Sequence, residues 1–437
     1  MKKGLKGVSC SPLSAHHRFV LGGARLQFDA VAAKPVTERT SATERLAAVA
    51  RTRSWLLPAT SATVTVVFFT ATVWFRQEVD LGTYLMGGAH AFSADLYQIR
   101  YPTTHLGFTY PPFAALLFSP FAHLPLRLNM VVFMWLSVGS LFGLVAVSLR
   151  VTCPALERRA VVWWALALVG PAVLLAPERE TLFFGQINLI LIVAVVADMT
   201  LDLRVPKGVL VGLAAAVKLT PIILVPYLLL TRRTRAACYA LGTFAAAAAV
   251  AAIASPRASW TYWSHDAWFP GRAGGVPFIS NQGALGVLER LLRHSLTTVP
   301  SFAVVATVSA IGLAVAALAH RRSSVLLGFI VIEATECLAS PISWDHHFVF
   351  VVLLIAWLAL AQDRPVHGAW WAAAVAVIFW SAPIWWVPRV RYAGQGWLIP
   401  AADAFFLVMV AVVVGATVRV VGRRGHAPRA VALSGTV

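Results

Sequence analysis

Long apolar blocks, separated by short polar stretches, dominate the chain from about residue 55 to residue 421. A block of about 17–25 residues is long enough for one helix to cross a hydrocarbon core roughly 30 Å thick. Backbone groups in lipid must bond internally, which leaves helices or a closed barrel, and the uninterrupted runs lack the alternation of barrel strands. The pattern therefore predicts an all-α, polytopic helical bundle in a membrane.

The apolar blocks predict about ten spanning helices and two partial or re-entrant ones. The partial helices are 108–122, which contains two consecutive prolines, and 208–230, which is broken at Lys218-Leu219-Thr220-Pro221. Irregular backbone at membrane depth is tolerated only where it faces protein or a wet cavity. The predicted spans are 55–75, 128–149, 160–176, 181–199, 237–254, 302–318, 325–341, 346–361, 369–382 and 399–421.

Clusters of arginine predict the orientation, because cytoplasmic loops carry an excess of Lys and Arg. One threading places all the clusters inside, with both termini cytoplasmic and two long segments, about 76–107 and 255–301, outside. Those outer segments are rich in Tyr, Trp and Pro, which suits an aromatic belt at the headgroups or stacking on sugar rings. The clusters are Arg158-Arg159, Arg232-Arg233-Arg235, Arg321-Arg322 and Arg423-Arg424.

The polar regions divide the chain into three parts. Residues 1–54 predict a loosely ordered, basic cytoplasmic tail, residues 55–421 form the transmembrane domain, and residues 422–437 form a cytoplasmic C-terminal tail. The first long apolar block starts near Trp55, so no cleavable signal peptide is expected. We expect a multi-pass protein of the plasma membrane.

Composition supports a membrane protein. Only 12% of the residues are charged, against roughly 25% in soluble domains, and the mean hydropathy is +0.75. The net charge of +18 is read as a topology signal, not as nucleic-acid binding, because the basic residues punctuate apolar blocks. The four cysteines form neither a disulfide framework nor a CxxC metal site.

Two carboxylates, Glu78 and Asp80, stand at the membrane boundary directly after the first apolar block. A low-dielectric edge raises the pKa of a carboxyl group and suits Asp80 to act as a general base. A solvated acid that caps the next segment explains the same position.

Lys218 is the most informative single position, because an ammonium within an apolar segment usually serves an anion, a cavity or a partner acid. Exposed helix-end N–H groups at the adjacent break would also favour phosphate. Snorkelling to the interface, or pairing with Glu333 or Glu336, explains it equally well.

Several further polar residues are candidates for a site near the outer face. Gln186 and Asn188 begin a helix and suit either hydroxyl binding or interhelical hydrogen bonds. Trp344-Asp345-His346-His347 lies between two helices, where the histidines suit a phosphate or a structural cap. No third or fourth metal ligand stands at suitable spacing, so no metal is expected.

In six motifs, taken in order, the chain resembles the GT-C superfamily polyprenyl-phosphate-mannose-dependent mannosyltransferases of actinobacteria, glycosyltransferase family 87. The resemblance covers about residues 55–421, and it is the order of the motifs that is specific. They are Asp80, Phe108–Phe113 (FTYPPF), Phe184–Asn188 (FGQIN), Ala216–Pro221 (AVKLTP), Ser280-Asn281-Gln282 and Ser340–His347 (SPISWDHH).

The resemblance implies a GT-C helical bundle that transfers mannose from polyprenyl-phospho-mannose, without a further cofactor, to a mannose hydroxyl of a lipoglycan or phosphatidylinositol mannoside. It implies an external, inverting, α-1,2-forming reaction with Asp80 as the base and Lys218, His346 and His347 on the donor phosphate. The long polar tail favours an enzyme that adds branches to lipomannan and lipoarabinomannan. The expected cavity lining is Glu78, Tyr84, Tyr110, Gln186, Asn188, Asn281, Gln282, Trp344 and Asp345.

Two other functions fit the same residues. A transporter or flippase of a lipid-linked or small solute would use Lys218 with the intramembrane acids Glu333 and Glu336. A non-catalytic membrane scaffold would tolerate the loss of Lys218 and His346. The absence of a fixed-period internal repeat and the two large aromatic outer segments argue against a small carrier.

Overall fold

The computed structural model describes residues 37–51, 56–75, 79–268, 274–387 and 398–422; among residues 37–75, side chains are described for 43–50 and 56–71. Glu78, residues 1–36 and 52–54 of the predicted N-terminal tail, and the predicted C-terminal tail beyond residue 422 lie outside this part of the chain. Residues 37–51 of the predicted tail form a helix. The described residues are helical and contain no β-strand, only two isolated β-bridges. The predicted all-α class is confirmed.

Nineteen α-helices follow one another along the described residues, joined by short 3₁₀ turns. They are α1 Thr37–Arg51, α2 Leu56–Phe75, α3 Val79–Ala89, α4 Pro112–Ala122, α5 Leu126–Thr152, α6 Arg158–Val173, α7 Ala176–Phe184, α8 Asn188–Thr200, α9 Val209–Val217, α10 Leu224–Leu230, α11 Thr234–Ala254, α12 Pro256–Ser264, α13 Ala284–Leu292, α14 Thr298–Arg322, α15 Val325–Ala339, α16 Val351–Leu360, α17 Gly368–Ser381, α18 Ile399–Ala402 and α19 Ala404–Gly422.

Five described helical stretches are long and apolar enough to cross a membrane: α5, α11, α14, the stretch Gly368–Trp385 and α19. The number rises to six if α6 and α7, which meet at a bend of 79°, form one broken span. The ten predicted spans are therefore not confirmed. Several of the predicted blocks are short or interrupted helices, because polar or glycine-containing breaks divide them.

Three of these interruptions lie between consecutive helices and position the polar residues considered below. The first follows α7 at Gly185, which takes the left-handed φ of 66° that glycine tolerates best. The second follows α9 at Lys218, where a 3₁₀ turn, Thr220–Ile223, replaces the helix, as predicted. The third separates α15 from α16 and contains the 3₁₀ turn Asp345–His347.

The two predicted outer segments contain helices of their own. The first begins with α3, which carries Asp80 in its first turn, and the second contains α12 and α13. A buried aromatic cluster, made of Tyr84, Phe108, Tyr110 and Phe118 with their apolar neighbours, packs α3 on α4 and includes Ile187 and Val217 beside the first two breaks. This cluster places α3 next to those breaks.

Close packing of α9 on α11 depends on Gly212, because a methyl group added there would overlap the carbonyl oxygen of Ala240. We expect Gly212→Ala to lower the unfolding temperature in detergent micelles, since overpacking costs roughly 1–3 kcal/mol and outweighs the helix-propensity gain of about 1 kcal/mol. Gly242→Ala, in α11, is the matched control, because nothing lies within 4 Å of its added methyl group. Equal unfolding temperatures for the two variants would contradict this packing.

Candidate active site

Asp80 is partly buried in the first turn of α3. Burial raises the pKa of its carboxyl group above the ordinary value of 3.8, while the charge of His346, a hydrogen bond from Gln186 and the charge of Lys218 oppose that rise. Gln186 follows the first helix break, Lys218 stands at the second, and His346 lies in the third. The structure thus brings Asp80 together with three of the polar residues predicted for the site.

A hydrogen-bonded network joins Asp80 to His346 through Gln186. The Gln186 amide group bonds Asp80, and its Nε2 lies 3.3 Å from His346 Nε2. Its Oε1 accepts from the Tyr84 hydroxyl at 2.5 Å and the Tyr110 hydroxyl at 3.2 Å, and those two hydroxyls are 2.7 Å apart. The tyrosines therefore fix the amide so that its NH₂ faces the carboxylate and the imidazole.

His346 is oriented from its other side by Asp345. One ring nitrogen, Nε2, faces the Gln186 amide, and the other, Nδ1, lies 3.4 Å from Asp345 Oδ1. Asp345 is held in turn by Ser280, whose hydroxyl donates at 2.7 Å, and by Trp385, whose indole N–H donates at 3.1 Å. Asp345 therefore positions His346. It was predicted to line the cavity, but it is not among the residues that line the pocket described below.

Lys218 lies at the end of α9 and connects all three breaks. Its Nζ donates to Asn188 Oδ1 at 2.7 Å, and Asn188 Nδ2 donates to the His346 carbonyl oxygen at 2.8 Å. The same carbonyl accepts from the Thr181 hydroxyl at 3.2 Å. The ammonium also lies 6.0 Å from the centre of the Tyr110 ring, within the range of a cation–π contact.

A small pocket, with a cavity volume of about 50 Å³, opens beside Lys218. His347 lines this pocket and His346 does not, so the two adjacent histidines serve different surroundings. One wall is apolar, and two acids, Glu333 and Glu336, lie on α15. The lining residues are Asn188, Leu191, Ile192, Val195, Lys218, Thr220, Pro221, Glu333, Glu336, Cys337, Ser340, Ser343, His347, Val349 and Phe350.

Burial lowers the pKa of His347 well below 6.5, and the charges of Lys218 and His346 lower it further. His347 is therefore neutral at physiological pH and offers a ring N–H without adding charge to the pocket. Lys218 supplies the positive charge. An ammonium and a neutral imidazole facing one cavity form a site for an anionic oxygen.

Three residues predicted to line the cavity take structural positions instead. The Asn281 amide bonds backbone groups of Val276, Gly283, Pro341 and Ser343, and the Gln282 amide bonds those of Ile279, Ala402 and Phe406. Both side chains are fully buried. Trp344 pairs with Asn281 through a β-bridge and packs against Phe278. Glu78 lies outside the described residues.

Some site residues carried little signal in the sequence. Ser340 and Ser343 line the pocket and stand within the predicted SPISWDHH motif, where serine between two helices suggests a cap as readily as a ligand. Trp385 reaches Asp345 from 40 residues away in the chain, and nothing local to it indicates this. Among the described residues, no group of three His, Cys, Asp or Glu side chains is placed to hold a metal ion.

Comparison with known proteins identifies relatives that share most of the chain. Residues 108–341 match the model of glycosyltransferase family 87, a range that includes Lys218 and excludes Asp80 and His346. A polyprenol-phosphate-mannose-dependent alpha-(1-2)-phosphatidylinositol mannoside mannosyltransferase of Mycobacterium tuberculosis is 33% identical over 336 residues, which cover 72% of this chain and 77% of that one.

A second relative, a polyprenol-phosphate-mannose-dependent alpha-(1-2)-phosphatidylinositol pentamannoside mannosyltransferase of Mycolicibacterium smegmatis, is 31% identical over 349 residues, 76% of this chain and 82% of its own. No solved structure is significantly similar to this chain. The family match and the extent of these identities confirm the resemblance seen in the motifs. The chain belongs to glycosyltransferase family 87.

Proposed function

We propose that this protein transfers mannose from polyprenyl-phospho-mannose to a mannose hydroxyl of a lipid-anchored glycan, forming an α-1,2 linkage by inversion on the external face of the plasma membrane. The observation that carries the proposal is that Lys218 both lies within electrostatic range of Asp80 and lines a pocket that has apolar residues on another side. A base, an anion site and an apolar wall are what such a reaction requires.

The pocket suits an amphiphilic sugar phosphate. Lys218 and His347 offer one positive charge and one neutral N–H to the phosphate, and Leu191, Ile192 and Val195 form an apolar wall that suits the start of a prenyl chain. The names of the relatives, which specify a polyprenol-phosphate-mannose donor, support the same assignment. No nucleotide-binding loop is needed, because the lipid phosphate is itself the leaving group.

In the proposed reaction, Asp80 accepts the proton of the acceptor hydroxyl as the hydroxyl oxygen forms a bond to C1 of the mannose. The bond from C1 to the phosphate oxygen breaks, and its electron pair goes to that oxygen. Lys218 and His347 stabilise the charge that develops there. Attack opposite to the leaving phosphate inverts the anomeric configuration, so a β-linked donor gives an α-linked product.

The protein's own contacts keep Asp80 ready for this role. Gln186 donates to the carboxyl group, and Tyr84 and Tyr110 hold the amide in that orientation. His346 contributes to the potential at Asp80, and its Nε2 lies 3.3 Å from Gln186 Nε2. We therefore assign Lys218 and His347 to the phosphate and His346 to the positioning of the base.

We take a phosphatidylinositol mannoside as the acceptor, because the names of the relatives specify phosphatidylinositol mannoside or pentamannoside. Lipomannan branching rests on the length of the polar tail alone, and the structure describes only residues 37–51 of that tail. Purified protein incubated with polyprenyl-phospho-mannose and a phosphatidylinositol mannoside should yield a product with one more α-1,2-linked mannose. A transporter or a scaffold would yield no new mannoside.

We expect Asp80→Asn to lower kcat by about 10²–10⁴-fold, the usual contribution of a general base, because an amide cannot accept the hydroxyl proton. The measurement is mannose transfer by purified protein in micelles, with binding of polyprenyl phosphate measured alongside and expected to persist. Asp95→Asn, on the same outer segment, is the matched control and should keep its activity. Normal transfer by Asp80→Asn would remove Asp80 from this role.

We expect kcat/KM to fall as the pH drops through the pKa of Asp80, because only the ionised carboxylate acts as a base, and that acid limb should lie above pH 3.8. Gln186→Met removes a hydrogen bond that lowers this pKa, so the limb should move to higher pH. Gln98→Met, at an exposed position, should leave the limb unchanged. A limb that stays in place in Gln186→Met would contradict the proposed contact.

The proposed orientation can be tested at the two ends of the α11–α12 stretch, Thr234 and Ser264, which are both exposed. In a background without native cysteines, an impermeant maleimide should label Ser264→Cys in intact cells and Thr234→Cys only after permeabilisation. The basis is that α11 is a candidate span with arginines at its Thr234 end. The opposite pattern would place the active site on the cytoplasmic face.

A further inference from the structure

The pocket beside Lys218 contains two acids that the proposed mechanism does not use. Glu333 and Glu336 both line it, and their spacing of three residues puts them on one face of α15. Glu333 is 4% exposed, and its Oε1 has no hydrogen-bond partner among the described residues. Buried polar atoms are nearly always hydrogen-bonded, so this oxygen, which faces the pocket, can accept a hydrogen bond from a bound ligand.

The neighbours of this pair do not satisfy it. Thr220 hydrogen-bonds Glu336, and Lys218 exerts an attractive charge on it. For Glu333 the described electrostatic neighbours are Glu336, Cys337 and Tyr227. Carboxyl groups are poor partners for a phosphate, so we place the phosphate at Lys218 and His347 and leave the two acids for uncharged groups of the ligand.

The residue types on α15 fit the hydroxyl groups of a sugar. Glu333, Glu336 and Ser340 follow one another along the pocket at spacings of three and four residues, so they form a polar column on one helix face. Carboxylate oxygens accept hydrogen bonds from hydroxyl groups, and such charge-assisted bonds are stronger than neutral ones.

We propose that Glu333 and Glu336 bind ring hydroxyl groups of the donor's mannose and thereby select the transferred sugar. This inference rests on the proposed function, since it assigns the sugar subsite of the same donor. Lys218 and His347 then hold the phosphate, and the carboxylates on α15 hold the hydroxyls. A metal ion is a poorer occupant, because no three metal-ligating side chains converge in the described part of the chain.

The test is a set of kcat/KM measurements that combine protein variants with donor analogues lacking the 3-, 4- or 6-hydroxyl. With the native chain, at least one deoxy donor should lose about 10-fold to 100-fold in kcat/KM, the effect of one hydrogen bond to a charged group. Glu333→Gln or Glu336→Gln should lose activity on the natural donor by a similar factor. On the matching deoxy donor the same variant should lose little.

Two controls separate a sugar subsite from a structural role. Glu289→Gln changes an equally buried acid that also has an unpartnered oxygen but lies outside the pocket lining, and it should treat all donors alike. Polyprenyl phosphate, which lacks the sugar, should inhibit the Glu333 and Glu336 variants as strongly as the native chain. A structural role would instead weaken that inhibition.

The outcomes are distinct. Equal losses on every donor, or weaker inhibition by polyprenyl phosphate, would overturn the assignment while leaving mannose transfer intact. Native protein that loses less than about threefold on each deoxy donor would overturn it even if neither glutamine variant folds. Native protein that transfers no mannose at all would reject the proposed function itself, and the natural donor alone reveals that result.

Discussion

The hydrogen bonds from Lys218 to Asn188 and from Asn188 to the His346 carbonyl hold the site together, because they join three separate interruptions of the helical bundle. Each interruption frees backbone and exposes polar side chains, which is tolerated within a membrane protein only where partners or a wet cavity compensate. Here the polar groups of the three interruptions hydrogen-bond one another. Removing the Asn188 amide would break the hydrogen bond from the Lys218 ammonium and one of the two hydrogen bonds to the His346 carbonyl. The three interruptions therefore depend on one another.

The proposed base and the proposed phosphate site lie on different sides of this hydrogen-bonded connection. On one side Gln186 relates Asp80 to His346 and is itself fixed by two buried tyrosines. On the other side Lys218 and His347 face a pocket that continues along α15. The division follows from the 3₁₀ turn Asp345–His347, which directs two consecutive histidines into different surroundings. The proposed base and the proposed anion site are therefore held by the same three helix breaks but use different side chains.

Much of this arrangement could be predicted from the sequence, and the remainder depended on tertiary contacts. The break at Lys218 was predictable, because a lysine and a proline interrupt an apolar run. The different surroundings of His346 and His347 could not be predicted, since two neighbouring residues in a turn show no sequence periodicity that assigns each to a face. Asn281 looked like a ligand because its amide bonding to distant backbone leaves no local trace. The predicted number of spans stays unconfirmed, because hydropathy alone does not show how far a helix continues.

Asn281 also has a consequence for how the two substrates are accommodated. Its side chain and the bridge to Trp344 fasten the outer segment before α13 to the turn that carries both histidines, so these two stretches of backbone behave as one rigid piece. A shift of that outer segment would be transmitted directly to the imidazoles. The parts of the two predicted outer segments that are not fastened to the histidine turn can therefore change shape without moving the imidazoles.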